Sequence, residues 1–231
     1  MTLRPARPEE AGFREGGFAE LDRILDQALA ERVTPGGVIA VGKDGALVHL
    51  RPFGHLTYEP GSSVVQADTL YDLSSLTKVV VTTSMAMILV DEGKLELDKP
   101  VSAFVPAFSG GLRDRVTVMH LLTHSAGFPA LAPWYREIAG REAYLARTAL
   151  LEPEYEPGTR SVYGDLGPIL LGEVLERVAG EGLESFARRR IFEPLGMKDT
   201  SYRPGPALLA RVAPTERDPW RGRLLRGEVH D

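Results

Sequence analysis

The segment GVIAVGKDGALVHLRPFG, residues 37–54, restricts the fold more than any other stretch. Two β-rich runs flank Lys43-Asp44-Gly45, and Asp-Gly suits the positive-φ pair that a tight hairpin turn demands. Before it, GFAELDRILDQALAERV carries Phe18, Leu21, Ile24, Leu25, Ala28 and Leu29 at helical spacing, halted by Pro35-Gly36-Gly37. After a polar loop from about Tyr58 to Asp68 the pattern turns helical. Ser74 to Glu92 is expected to be a helix despite its β-branched VVVTT, because the apolar stretch outruns a typical strand, with Gly93 as its stop. KLELDKPVSAFVPAF reads as a short extended piece and a proline-punctuated turn. TVMHLLTHSAGF reads as a compact helix capped by Thr117 and closed by Gly127. GREAYLARTALLE, DLGPILLGEVLERVAG (ending at Gly180) and GLESFARRRIFEPLGM supply three more.

These helices are too numerous to be crossovers of a parallel sheet. The expected fold class is therefore α/β of the α+β kind. An antiparallel sheet begun near the N-terminus is flanked by helices, and a helical region is inserted after it. The 231 residues are read as a single domain. Residues 1–73 hold the first helix and sheet, 74–201 the helical region, and 202–231 an irregular Pro-, Arg- and Gly-rich tail.

Composition narrows the partners. The formal charge is -5 with acids and bases interspersed, and no basic stripe argues for nucleic acid. There are no cysteines, hence no disulfide framework and no thiolate metal site. The start lacks the apolar core of a signal peptide, and VVVTTSMAMILV is too short to span a bilayer, so the expected location is cytoplasmic, away from membranes. Asparagine is absent and arginine far outnumbers lysine, which fits a thermophile or equally a GC-rich genome.

The chemistry-bearing candidates lie in YDLSSLTKVVVTT and PGTRSVYGDLGP. Ser75 and Lys78, three apart, share one helix face. A serine hydroxyl needs a base within reach. A lysine amine can serve if burial and nearby positive charge depress its pKa. The helix start would also offer the Ser75 N–H to an oxyanion. The plain alternative is a capped helix with an exposed lysine. Tyr163 and Asp165, alternating on an extended loop, can face one cavity. Tyr163 would relay a proton, and Asp165 would meet Lys78 or the substrate. The plain alternative is that Asp165 caps the next helix and Tyr163 packs.

In order and separation, LSSLTKVVVTTSMAMILVDEGKLELDKPV, TVMHLLTHSAGF, EPGTRSVYGDLGPILLGEVLERVAG and IFEPLGMKDTSY resemble the serine β-lactamase and penicillin-binding-protein superfamily. The likeness is to its class C-like branch of D-alanyl-D-alanine carboxypeptidases, esterases and β-lactamase-related proteins. It runs over nearly all of the chain from Gly36. The resemblance implies a β-lactamase/transpeptidase-like fold, Ser75 as the acylated nucleophile, Lys78 as its partner and Tyr163 as the tyrosine of the Tyr-x-Asn element. Asp165 stands where asparagine is usual, and a carboxylate cannot donate as an amide can. The family's third element, Lys-Thr-Gly or His-x-Gly on a sheet strand, is not found. The chain ends RLLRGEVHD, and His230 is followed by no glycine strand. The expectation is a chain truncated relative to the family, lacking one oxyanion donor at a rate loss of about 10²–10³. Its sheet edge would be unpaired and open to self-association.

His120 and His124 have zinc-pair spacing, but Leu121 stands where a zincin needs glutamate, so they read as packing histidines and no metal is expected. Trp134 and Tyr135 are either core aromatics or a wall of an acyl pocket. The overall expectation is a serine hydrolase that works through an acyl-enzyme on a small ester or amide and needs no cofactor. The alternative is a non-catalytic binding or scaffolding member of the same superfamily.

Overall fold

The computed structural model of the protein describes residues 3–130, 132–215 and 217–229; His230, singled out above, lies outside them. The chain divides into two compact units, one within Met1–Asp72 and Leu195–His230, the other within Leu73–Pro194.

In the first unit, β2 (Gly36–Lys43) and β3 (Ala46–Gly54) form the expected antiparallel hairpin. Asp44 and Gly45 take φ +49° and +76°, the positive pair that a type I′ turn requires. A bulge at Val41/Gly42 shifts the register by one residue. The two-residue strand β1 (Arg4–Pro5) lies on the free edge of β3, but parallel to it. The sheet is therefore mixed, ordered β1-β3-β2, rather than wholly antiparallel. Pro5 has no N–H to extend that ladder, and the flanking Arg4 and Ala6 amides make its bonds, to Gly45 and Leu47. Helix α1 (Ala19–Ala30) meets alternate residues of β3. His49 Nε2 lies 3.0 Å from the Asp22 carboxylate, and the Arg51 guanidinium donates to the Asp22 carbonyl at 2.9 Å. The period of two along a strand puts both side chains on the same face. The tail is more ordered than its sequence suggests. It contains a short helix, Pro206–Leu209, and a hairpin of β4 (Arg217–Asp218) and β5 (Arg223–Leu224).

The second unit is helical. A π-helical segment, Lys78–Thr83, continues directly into α2 (Ser84–Asp91), and Gly93 ends the run in a left-handed conformation. The expected helix is thus present, but it begins after Ser75 rather than at Ser74, whose φ of +45° is not helical. α3 (Val118–Leu122) is capped by Thr117 as expected, with His120 closing the reciprocal capping box. It stops at Leu122, before the expected Gly127, because His124 turns left-handed at φ +54°. α4 (Arg141–Ala149), α5 (Leu166–Ala179) and α6 (Leu183–Ala187) follow. α5 is the axis of the unit and packs on the π segment, α2, α3, α4 and α6. Its Leu166, Leu170, Leu171, Val174 and Leu175 are buried among Met85, Leu89, Phe108, Leu121 and Phe186. Arg141 of α4 pairs with Glu173 (2.5 Å) and Glu176 of α5. Among the described residues no helix is long and apolar enough to cross a membrane.

Leu170 is fully buried. Leu170→Ala is expected to cost about 2–5 kcal/mol, through lost transfer energy and the cavity left behind. Urea denaturation should show a lower midpoint with an unchanged slope.

Candidate active site

Ser75 stands at the mouth of the helical run. The chain reaches it through Ser74, held in the left-handed region that non-glycine residues seldom occupy. The amides of Leu76, Thr77 and Lys78 then donate to the carbonyls of Leu73, Ser74 and Ser75. The Ser75 N–H itself has no acceptor among the described residues and belongs to the orphan donors of a helix start. Its hydroxyl is exposed, 2.9 Å from Lys78 Nζ.

Lys78 Nζ also donates to Asp165 Oδ1 at 2.6 Å, across 87 positions of sequence. The lysine side chain is 18% exposed and the aspartate 55%. Burial pushes the Lys78 amine down, but the hydrogen bond and charge of Asp165, followed by those of Tyr163, outweigh it and hold the amine above the ordinary lysine range. The condition under which Lys78 could act as a free base is therefore not met in this resting arrangement. At neutral pH it is an ammonium that donates to both oxygens.

Tyr163 and Asp165 do share one side of their loop, as alternation requires. Lys78 Nζ lies 5.2 Å from the centroid of the Tyr163 ring. Tyr163 is 58% exposed, so it does not pack in the core. Its ring rests instead 4.7 Å from that of His124. The loop is pinned to the segment after α3 at three points. Ser161 Oγ donates to the Thr123 carbonyl at 2.9 Å, the Val162 N–H to the His124 carbonyl at 2.8 Å, and the Gly164 N–H to His124 Nδ1 at 3.4 Å. Gly164 has no room to be larger: a Cβ there would lie 2.9 Å from the Ala130 carbonyl oxygen.

Asp165 occupies the position before α5 but makes no capping bond with its side chain. Its carboxylate is committed to Lys78, and the capping alternative does not hold. Pro168, in the first turn of α5, lacks an N–H where none is needed. Trp134 is buried under the Arg147 guanidinium and beside Tyr144, which assigns it to the core. Tyr135 is half-buried and carries the Arg136 guanidinium 5.5 Å from its ring centre. No group of metal-ligating side chains occurs among the described residues. His120 is occupied by the α3 cap, its Nδ1 accepting from the Thr117 N–H at 3.2 Å. His124, read from the sequence as a packing histidine, packs on Tyr163. Nothing in linear spacing ties it to Tyr163, 39 positions on.

Residues 21–230 match the β-lactamase family model. The chain belongs to the β-lactamase family. The N-acetylmuramyl-L-alanine amidase of Bacillus subtilis is 30% identical over 96% of this chain and 58% of its own length. The octameric penicillin-binding protein homologue from Pyrococcus abyssi is 30% identical with a TM-score of 0.75, covering 92% of this chain and 52% of its own. A class C β-lactamase superposes with a TM-score of 0.78 at 24% identity, over 93% of this chain and 59% of its own, a likeness of fold. The architecture is that of the β-lactamase/transpeptidase fold, and the chain spans between half and three-fifths of the length of each of these proteins.

Because the Lys78 pKa is raised, the stabilisation from its pairing with Asp165 is present below the ordinary lysine value and is lost as pH rises through the raised one. Asp165→Asn removes the opposing charge and leaves the burial. The Lys78 amine should then titrate at lower pH than in the unsubstituted protein, read by NMR of ¹³C-labelled lysine.

Proposed function

We propose that the protein is a serine hydrolase of small esters or amides that works through an acyl-enzyme on Ser75. The observation that carries this reading is the convergence of the Ser75 hydroxyl, the Lys78 ammonium and the Asp165 carboxylate through contacts of 2.9 and 2.6 Å, with the Tyr163 phenol beside them. Membership of the β-lactamase family and likeness to a named amidase support it.

The steps follow from the charges. Lys78 donates to the Ser75 oxygen, so it is not the group that removes the serine proton. Tyr163 enters the cycle as a phenolate whose negative charge the ammonium balances; its oxygen takes the Ser75 proton and becomes the neutral phenol. Ser75 Oγ bonds to the substrate carbonyl carbon. The carbonyl oxygen becomes an oxyanion, for which the free Ser75 N–H is one donor. Tyr163 returns the proton to the leaving alcohol or amine as its bond to carbon breaks. Water then enters along the same path, giving a proton to Tyr163 and its oxygen to the acyl carbon; as the bond from Ser75 Oγ to that carbon breaks, Tyr163 returns the proton to Ser75 and the acid leaves. Esters are favoured as substrates, because an alkoxide is an easier leaving group than the anion of an amine and Asp165 offers no amide N–H to a lactam or peptide.

A fluorophosphonate should add covalently to Ser75, read by intact mass, and p-nitrophenyl acetate should give a burst that Ser75→Ala abolishes. Tyr163→Phe should lower kcat by about 10²–10⁴. Equal rates for the unsubstituted protein and Ser75→Ala would replace this reading with that of a binding protein.

A further inference from the structure

His124 sits where the backbone after α3 turns left-handed, at φ +54°. That turn faces its side chain towards the loop entering α5. Three features of the ring bear on Tyr163. The two rings lie 4.7 Å apart at a 43° tilt, so the imidazole is a platform for a phenol otherwise open to solvent. Nδ1 accepts the N–H of Gly164, the residue between Tyr163 and Asp165. The His124 carbonyl takes the N–H of Val162, the residue before Tyr163. One residue therefore grips the backbone on both sides of the phenol and supports its ring.

We propose that His124 is a positioning residue for Tyr163, effective only as the neutral Nε2–H tautomer, so that its protonation releases the loop and sets the acid limit of turnover. This inference rests on the serine hydrolase reading above and extends it to pH control.

The acceptor role of Nδ1 is the reason. An imidazolium has a proton on both nitrogens and would present N–H to the Gly164 N–H. The charged and titratable groups facing the ring come from two elements: the Lys78 ammonium from the π segment, and the Asp165 carboxylate and the Tyr163 phenol from the loop before α5. Burial first, and then the Lys78 ammonium, hold the His124 imidazole below the ordinary histidine range against the opposing pull of Asp165. The ring is thus neutral at pH 7, and the grip is lost as pH falls through that lowered value. Left-handed backbone is tolerated by asparagine, whose side-chain oxygen can still accept from Gly164 but does not titrate and offers no ring.

The test combines NMR of the full chain with kinetics. In protein carrying ¹⁵N-labelled histidine, Nδ1 of His124 should be unprotonated at pH 7.5, and its titration midpoint should lie below the ordinary histidine value. The acid limb of kcat/KM for p-nitrophenyl acetate should share that midpoint. In His124→Asn the limb should disappear, with kcat at pH 7.5 down about tenfold and KM changed less than twofold. A protonated Nδ1 at pH 7.5, or an acid limb that stays in place in His124→Asn, would overturn the inference. If His124→Asn does not fold, the tautomer and the coincidence of the two midpoints in the unsubstituted protein decide. If turnover proves independent of Ser75, the hydrolase reading fails by that separate control, whereas the NMR titration still reports whether His124 holds the loop.

Discussion

An ammonium and a carboxylate 2.6 Å apart, 87 positions distant in sequence, tie the mouth of one helix to the mouth of another. Much else at the site follows from that contact. It takes Asp165 away from capping α5, and it keeps Lys78 charged although most of the lysine side chain is shielded from water. The same amine is a donor aimed at the serine oxygen. The carboxylate is more than half exposed, so water softens the attraction. The pair is better understood as a device for position and charge than as a source of stability. In the proposed reaction proton transfer falls to the phenol, and the placing of the phenol becomes the critical geometric question.

The fold answers that question with rigid parts. α5 is buried along one face by five aliphatic side chains, which fixes the direction from which Asp165 arrives. The π winding of Lys78–Thr83 changes the register of the helix just where Lys78 leaves it, and such local departures often accompany functional sites. Ser74 in the left-handed region costs on the order of 1–2 kcal/mol, a local expense that sets Ser75 at the turn into the helix. Between them lies the loop of residues 161–165, held by backbone and side-chain bonds to Thr123 and His124 and packed too tightly at Gly164 to admit a methyl group. Each restraint on the phenol comes from a segment distant in sequence.

Several elements were legible in the residues themselves. The Asp44-Gly45 turn, the stop at Gly180 and the Thr117 cap depend on local stereochemistry and hydrogen bonding, and they formed where expected. Ser75 beside Lys78, and Tyr163 beside Asp165, were legible as pairs because helical and extended spacing dictate which side chains are neighbours. Four points were not legible. The parallel pairing of β1 depends on which edge of β3 is free. The early end of α3 depends on the turn at His124. The burial of Trp134 depends on the core around Tyr144 and Arg147. The contact of His124 with Tyr163 depends on two loops meeting.

The sequence by itself determined which of the candidate side chains lie one turn or two strand positions apart, because those distances are set by covalent geometry. Tertiary structure decided the protonation of Lys78, the partner of Asp165 and the support of Tyr163. A pKa and a hydrogen-bond partner depend on the charges and burial within a few ångströms of a group, and here those neighbours come from segments 39 to 87 positions away along the chain, brought close only when the helices pack.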